Sequence, residues 1–357
     1  MEKFAFVIHP ISVKKDVARK YPFVKLLPES MVEWGIRYKK PMEVSHITGI
    51  RSAAGVEAEG WFVGCPLTAK QLLHLPIEQV YDRILGAVRI AEDLGAKVIG
   101  LGAFTSVAGD QGVTVAQRSK IAVTTGNSYT VATAVEGAVR GAELMGVDPM
   151  KAQVAIVGAT GAIGKTCAQL FAKKSDSIAL IGRSIDRLED LADSLAKSGK
   201  AAVSTSTDVA GGIRDADIVV TVSSAVDAII EPGFIKSGAV VCDVARPRDV
   251  SERVAKERND VLIVDGGVIE VPGDVDFGFN FGFPPKTAYA CMSETMILAL
   301  EGRYESFTLG KDVTVEQVEE ITRLAAKHGF KLAGFRSFEK AVTEEQIEQI
   351  RKNAGRC

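Results

Sequence analysis

The stretch "VGATGAIG", residues 157–164, constrains this chain more than any other. It follows the β-branched run "QVAIV" and opens the helix-forming run "KTCAQLFAKK". Gly158 permits a tight turn, Gly161 lets a phosphate approach the backbone, and Gly164 lets a helix pack against its strand. Backbone N–H groups at Thr160, Ala162 and Ile163 then face a pyrophosphate at the positive end of the helix. The neighbouring "GKT" does not make a P-loop, because that pattern needs glycine at 159 and the chain has Ala159. Further short β-branched runs follow: "SIALIG", "DIVVTVSS", "AVVCDVARP" and "VLIVDGG". Near-continuous apolar strands separated by helices predict a parallel sheet covered on both faces. The expectation is an α/β protein with a Rossmann domain that binds a dinucleotide.

The end of the second strand of that domain decides which nucleotide binds. An acidic residue there would hold the ribose hydroxyls and repel a 2′-phosphate, but the chain reads "LIGRSIDR". Arg183 and Ser184 offer charge-assisted and hydroxyl contacts to that phosphate, and Arg187 adds positive field. The expected cofactor is therefore NADPH; the alternative leaves both arginines as solvated helix-start residues.

Before this domain, "PIEQVYDRILGAVRIAEDL" carries Val80, Ile84, Leu85, Val88 and Ala91 at helical spacing, with Gly95 as its stop. "FAFVIHP", "GVEAEGWFVGCPL" and "AKVIGLGAFTSVAG" read as strands or strand-to-loop segments. "NSYTVATAVEGAVRGAELMG" reads as a helix of small residues bridging two domains. The expected division is a substrate or acyl-thioester domain at 1–148, an NADP-binding domain at 149–285, and a C-terminal helical segment at 286–357 that returns to the substrate domain.

A hydrophobic fraction of 46%, charged residues at 25% and a net charge of −2 describe a globular protein and give no reason to expect nucleic acid as a partner. Residues 1 to 51 nevertheless hold ten Lys or Arg against five acids, either a solvated face or a dock for an acidic carrier or phosphate group. The five cysteines, at 65, 167, 242, 291 and 357, show neither CxxC spacing nor a dense framework, so a reducing compartment fits and no metal site is expected. The apolar run in "MEKFAFVIHP" is too short for a signal sequence, and no run is long enough to span a membrane. The expected location is the cytoplasm.

Cys291, in "AYACMSETM", is either a small buried hydrophobe or a nucleophile. A helix beginning near Pro285 would place it at most two turns inside, where help from the helix dipole is weakened. The segments "GAFTS" (Gly102 to Ser106), "TTGNSYT" (Thr124 to Thr130), "DGGVIE" (Asp265 to Glu270) and "YACMSETMILALEG" (Tyr289 to Gly302) occur in this order, with "KHGF" at 327 to 330 near the end. Together they resemble the cyanobacterial long-chain acyl-[acyl-carrier-protein] reductases, which form fatty aldehydes. The resemblance implies that Cys291 attacks an acyl thioester, supplied on acyl-carrier protein or as acyl-CoA, and that NADPH reduces the resulting acyl-enzyme. An aldehyde product would implicate a downstream aldehyde-using enzyme as a further partner.

Ser106 and the 124–130 loop could hold the thioester oxygen, or simply cap a loop and a helix. Where the cyanobacterial enzymes generally carry a histidine, this chain has Tyr129, a possible proton donor but a poor base for a thiol. Glu294 shares a helical face with Cys291 and could either orient a proton donor or repel the thiolate. Phe277, Phe279, Phe281 and Phe283 alternate in "FGFNFGF" and either line an acyl channel or seal a core between domains. Competing readings are a shikimate-type or amino-acid dehydrogenase with a structural Cys291, and a non-enzymatic NADP-sensing protein.

Overall fold

The computed structural model describes residues 1–357 except 11–16, 19–20, 199, 226, 339 and 357. Lys14, Lys15, Asp16, Arg19 and Lys20 of the basic region, and Cys357, thus lie outside the described residues. The strands run β1 (Glu2–Ile8), β2 (Met42–Arg51), β3 (Glu57–Gly64), β4 (Val98–Leu101), β5 (Ala122–Thr124), β6 (Gln153–Val157), β7 (Ser177–Ile181), β8 (Ala202–Ser206), β9 (Ile218–Thr221), β10 (Val240–Asp243), β11 (Leu262–Asp265), β12 (Val268–Glu270), β13 (Gly273–Asp276) and β14 (Thr287–Tyr289).

The chain forms two units, and both are discontinuous in sequence. The first comprises Met1–Asn127, Ile269–Asp312 and Glu320–Lys331; the second comprises Ser128–Val268, Val313–Glu319 and Leu332–Cys357. These limits differ from a division at 148 and 285. The helix Asn127–Leu144, expected as a bridge, belongs from Ser128 onward to the second unit. The reason is its small-residue face: a Cβ on Gly141 would lie 2.9 Å from the Val240 side chain, and Ala134, Ala138 and Ala142 are sealed in the same core. The C-terminal segment is also divided. Residues 286–312 and 320–331 return to the first unit, whereas 332–357 join the second, where Ile347 of the helix Glu344–Asn353 enters the core.

In the first unit the sheet order is β13-β2-β3-β1-β4-β5. β1 pairs in parallel with β3 and β4, and β4 in parallel with β5. β2 runs antiparallel to β3, and β13 antiparallel to β2. Phe4 to Val7 are buried throughout because β1 is covered on both faces. One face packs on the helix Ile77–Asp93, whose Val80, Ile84, Leu85, Val88 and Ala91 all enter the core, and Gly95 ends it with φ 84°. Each such side chain contributes about 1.5–3 kcal/mol of transfer free energy. The helix Ala290–Leu300 packs against β1 and β4. Gly100 of β4 makes that approach possible, since a Cβ there would lie 2.1 Å from Thr295 Oγ1.

The second unit carries a six-stranded sheet of order β11-β10-β9-β6-β7-β8, parallel at every pairing. The order reverses between β6 and β9, which is the doubly wound Rossmann arrangement, and a ligand binds outside the carboxyl ends at that switch point. The mixed α/β fold with this Rossmann sheet is the one expected from sequence. No helix among the described residues is long and apolar enough to cross a membrane.

Candidate functional site

The glycine turn stands at the switch point, between β6 and the helix Ala162–Ala172. Gly158 has φ 84°, and a Cβ there would meet the Ser223 backbone at 3.0 Å. At Gly164 a Cβ would lie 2.2 Å from the Gly158 carbonyl oxygen, so only glycine lets the helix sit this close. Above Gly161 the surroundings are open: a Cβ would find only the Gly158 oxygen, at 3.3 Å. The turn is pinned by Gly158 and Ala159 N–H groups donating to the Ile181 carbonyl and by Gly161 N–H donating to Gly158. With Thr160, Ala162 and Ile163 this forms a cradle that fits a pyrophosphate at a helix N-terminus, where the first N–H groups lack intrahelical partners.

Arg183 and Ser184 follow β7, the strand beside β6, and Arg187 lies in the first turn of the helix Ile185–Ser198. Both arginines are exposed, and Ser184 is half-buried with its carbonyl accepting from Leu188 N–H.

Sequence reasoning missed the group that shapes the other wall. Asp249, fully buried, accepts hydrogen bonds from Ser223 N–H at 3.0 Å, from Ser223 Oγ at 2.6 Å and from the Thr221 hydroxyl. It thereby fixes the loop after β9 against Gly158. Nearby, Asp243 accepts from Ala245 N–H and Val250 N–H, and burial pushes its carboxyl up to about 7, opposed by Arg246. No local pattern in "DVARPRDV" marks these two aspartates.

In the first unit, a second group of residues lies at the carboxyl ends of the parallel strands. After β4 a 3-10 turn, Ala103–Ser106, begins with Ala103 at φ 46°, a left-handed conformation that costs a non-glycine residue about 1–3 kcal/mol. Ser106 Oγ donates to the Ala103 carbonyl at 2.6 Å, so its hydrogen closes this turn. His9, just beyond β1, accepts from Phe104 N–H at Nε2 and was not anticipated. His328, in the "KHGF" stretch, is buried between Ser52 Oγ, 2.7 Å from Nδ1, and Glu301, 2.8 Å from Nε2.

Cys291 is the second residue of the helix Ala290–Leu300. The expected start near Pro285 is corrected by β14, which occupies Thr287–Tyr289 and holds the backbone extended up to the helix. Cys291 therefore lies in the first turn, where the helix dipole favours negative charge on sulfur. It is half-buried, whereas Cys65, Cys167 and Cys242 are fully buried. Burial pushes the Cys65 and Cys167 thiols up to about 12 and the Cys242 thiol higher still.

The loop after β5 presses on this cysteine. Gly126, with φ 73°, lies so close that a Cβ would fall 2.3 Å from Cys291 Cα. Glu294, fully buried, accepts from Thr124 Oγ1 at 2.5 Å and from Thr308 Oγ1 at 2.9 Å. Thr124 Oγ1 in turn accepts from Gly126 N–H at 3.4 Å and Thr308 N–H at 3.3 Å. Glu294 thus points into the threonines that hold the Gly126 loop.

Tyr129 falls in the second unit; it is buried, and burial followed by the charge of Glu136 pushes its phenol further above the ordinary tyrosine value. The phenylalanines form a chain of rings within the first unit. Phe62 meets Phe277 and Phe281, Phe281 meets Phe283, and Phe283 meets Tyr289 at 4.4 Å between ring centroids. Tyr289 immediately precedes the helix that carries Cys291. Phe279 is half-buried. Among the described residues, no three His, Cys, Asp or Glu side chains are grouped to hold a metal ion.

The family model for shikimate / quinate 5-dehydrogenase matches residues 142–266, within the second unit. The chain is 29% identical to the aminotransferase PigE of a Serratia species over 98% of its own length, and it spans 42% of that protein. It is 26% identical to the long-chain acyl-[acyl-carrier-protein] reductase of Synechococcus elongatus, covering 92% of this chain and 98% of that one. A glutamyl-tRNA reductase of Trichodesmium erythraeum is 28% identical over 50% of this chain and 42% of its own. The relationships are distant. Taken with the glycine turn and the switch point, they mark a second unit that binds a nicotinamide nucleotide.

Proposed function

We propose that this protein reduces a long-chain acyl thioester, presented by acyl-carrier protein or as acyl-CoA, to a fatty aldehyde through an acyl-enzyme on Cys291, with NADPH as cofactor. The observation that carries this reading is the setting of Cys291: half-buried, in the first turn of an eleven-residue helix, and pressed by Gly126, while the other described cysteines are sealed. The Synechococcus relative, named as an acyl-[acyl-carrier-protein] reductase, supports the substrate class.

The Cys291 thiolate adds to the thioester carbonyl, a new C–S bond forms, and the carrier's C–S bond breaks to release its thiol. Negative charge on the carbonyl oxygen develops near the first turn of the helix, whose N–H groups stabilise it. Glu294 is a positioning residue that holds the 124–126 loop through Thr124. Ser106 shapes the turn after β4, and Tyr129, with its phenol held protonated, does not serve as a base. The half-buried rings Phe281 and Phe283, backed by the buried Phe62 and Phe277, supply apolar surface for the chain, worth about 0.8 kcal/mol for each methylene buried. The nicotinamide nucleotide, when bound, supplies the hydride that converts the acyl group to the aldehyde.

The test is intact mass after incubation with a long-chain acyl thioester in the absence of nucleotide. A single acyl adduct that maps to Cys291 and disappears when NADPH is added, with aldehyde released, is the expected result. An unmodified protein that still oxidises NADPH with thioester present would count against the covalent route.

The nucleotide preference has its own test. Arg183→Asp is expected to weaken the preference for NADPH over NADH by roughly 10²-fold, since it removes a cation and places an acid beside the ribose. Measuring kcat/KM for both nucleotides decides it; an unchanged ratio would return Arg183 to the role of a solvated residue.

A further inference from the structure

Large exposed apolar side chains are scattered over most of the described surface, with one exception. Phe23, Leu26, Met31, Trp34 and Tyr38 lie within sixteen residues of one another, and each is between 54% and 89% exposed. They belong to the 3-10 turn Pro22–Leu26, the helix Glu29–Arg37 and its C-cap Tyr38. At about 100° per residue, Met31, Trp34 and Tyr38 fall within one narrow stripe, while Val32 and Ile36 point to the other side. Val32 and Ile36 are buried with Val24 in a small core of their own, so this helix is docked by one face and bare on the other.

The charges around the stripe have a sign. Lys25 and Lys40 are exposed on either side of it in sequence, Arg37 is turned to Gln79, and the Lys39 ammonium lies 3.9 Å from the Tyr21 ring centroid, whereas Glu29 and Glu33 fall on the side of the helix away from the stripe. Trp34 and Tyr38 meet edge to face at 5.2 Å, giving a rigid aromatic pair. Met, Trp and Tyr on one helix face, with Phe23 and Leu26 exposed in the turn before it and lysines beside them, is the composition of a segment that lies in a bilayer interface, with the rings at headgroup level and the cations on anionic lipid. A monomeric protein seldom leaves so concentrated an apolar patch uncovered.

We propose that residues 22–40 form a peripheral membrane-docking surface that inserts Phe23, Leu26, Met31, Trp34 and Tyr38 into the interface of an anionic bilayer. The inference goes beyond the proposed reaction and does not depend on it, because docking is read without substrate or nucleotide.

The experiment uses the full chain with vesicles of pure phosphatidylcholine and of equal parts phosphatidylcholine and phosphatidylglycerol. The protein is expected to co-sediment with the anionic vesicles and much less with the neutral ones. Trp34 emission should shift to the blue on binding. The chain has two tryptophans, and Trp61 is already buried, so the shift reports Trp34. Leu26→Ser with Met31→Ser should weaken vesicle binding by roughly tenfold or more, given the apolar area withdrawn. Both residues are exposed, so the variant should keep the parent's circular dichroism and melting temperature. Lys25→Glu with Lys40→Glu should abolish the preference for anionic lipid.

The proposal is overturned by any of four results: no binding to anionic vesicles, binding that the serine variant leaves unchanged, a patch buried instead in a dimer that the serine variant dissociates, or binding of a purified acidic carrier protein in place of vesicles.

Discussion

Cys291→Ala is expected to lower aldehyde formation by about 10³-fold or more while leaving nucleotide binding intact. The size follows from the role: a nucleophile that forms a covalent intermediate cannot be replaced by its neighbours, and a loss of 10³ corresponds to about 4 kcal/mol of transition-state stabilisation. The selectivity follows from the fold. Cys291 belongs to the first unit, whereas the glycine turn, Arg183 and the Asp249-anchored loop all belong to the second. A half-buried methyl in place of a thiol leaves little cavity, so the melting temperature should stay near that of the parent. NADPH titration by fluorescence, thioester-dependent oxidation of NADPH and intact mass together check the prediction. A shikimate-type dehydrogenase, favoured by the family match to 142–266, predicts the opposite: the alanine variant would keep most of its activity on a small hydroxy or keto acid. An alanine variant that still makes aldehyde within a few-fold of the parent rate would remove Cys291 from the mechanism.

Much of this was legible because its causes are local. Gly158 and Gly164 are needed by a turn only a few residues long, and the core face of Ile77–Asp93 repeats every three to four residues along one helix. What escaped the sequence depends on distant partners. "GDVD" reads as loop because it is polar, yet it pairs with β2 as an edge strand, more than two hundred residues away in the chain. "TAYACMSETM" has no marker where strand gives way to helix, and the few residues that β14 takes from the helix bring Cys291 into the first turn. Glu294 follows Cys291 by three residues on one helix, but its direction is set by Thr124 and Thr308, which periodicity cannot supply. The exchange of segments between the two units was equally hidden, since each crossing falls in a stretch that reads as ordinary helix or loop.

The Gly126 contact yields the second large effect. Gly126→Ala should destabilise the first unit by about 2–4 kcal/mol, because two costs act together: an alanine held at φ 73°, and a methyl carbon 2.3 Å from Cys291 Cα and 2.4 Å from its Cβ. Relief by a simple side-chain rotation is closed off, since the obstructing atoms include backbone. The loop cannot retreat freely either, because Thr125 N–H donates to the Thr308 carbonyl at 2.9 Å and Thr124 is held by Glu294. Any relaxation must therefore move the start of the helix Ala290–Leu300 or unmake the threonine network, and each outcome displaces the sulfur. Urea unfolding gives the first part of the prediction. The second is the alkylation rate of Cys291 by a maleimide under native conditions, read in a Cys357→Ser background; Cys65, Cys167 and Cys242 are sealed from the reagent. A lower urea midpoint together with a changed alkylation rate is expected. If both stay at parental values, Gly126 does not press on Cys291, and the loop after β5 has no part in setting the position of the nucleophile.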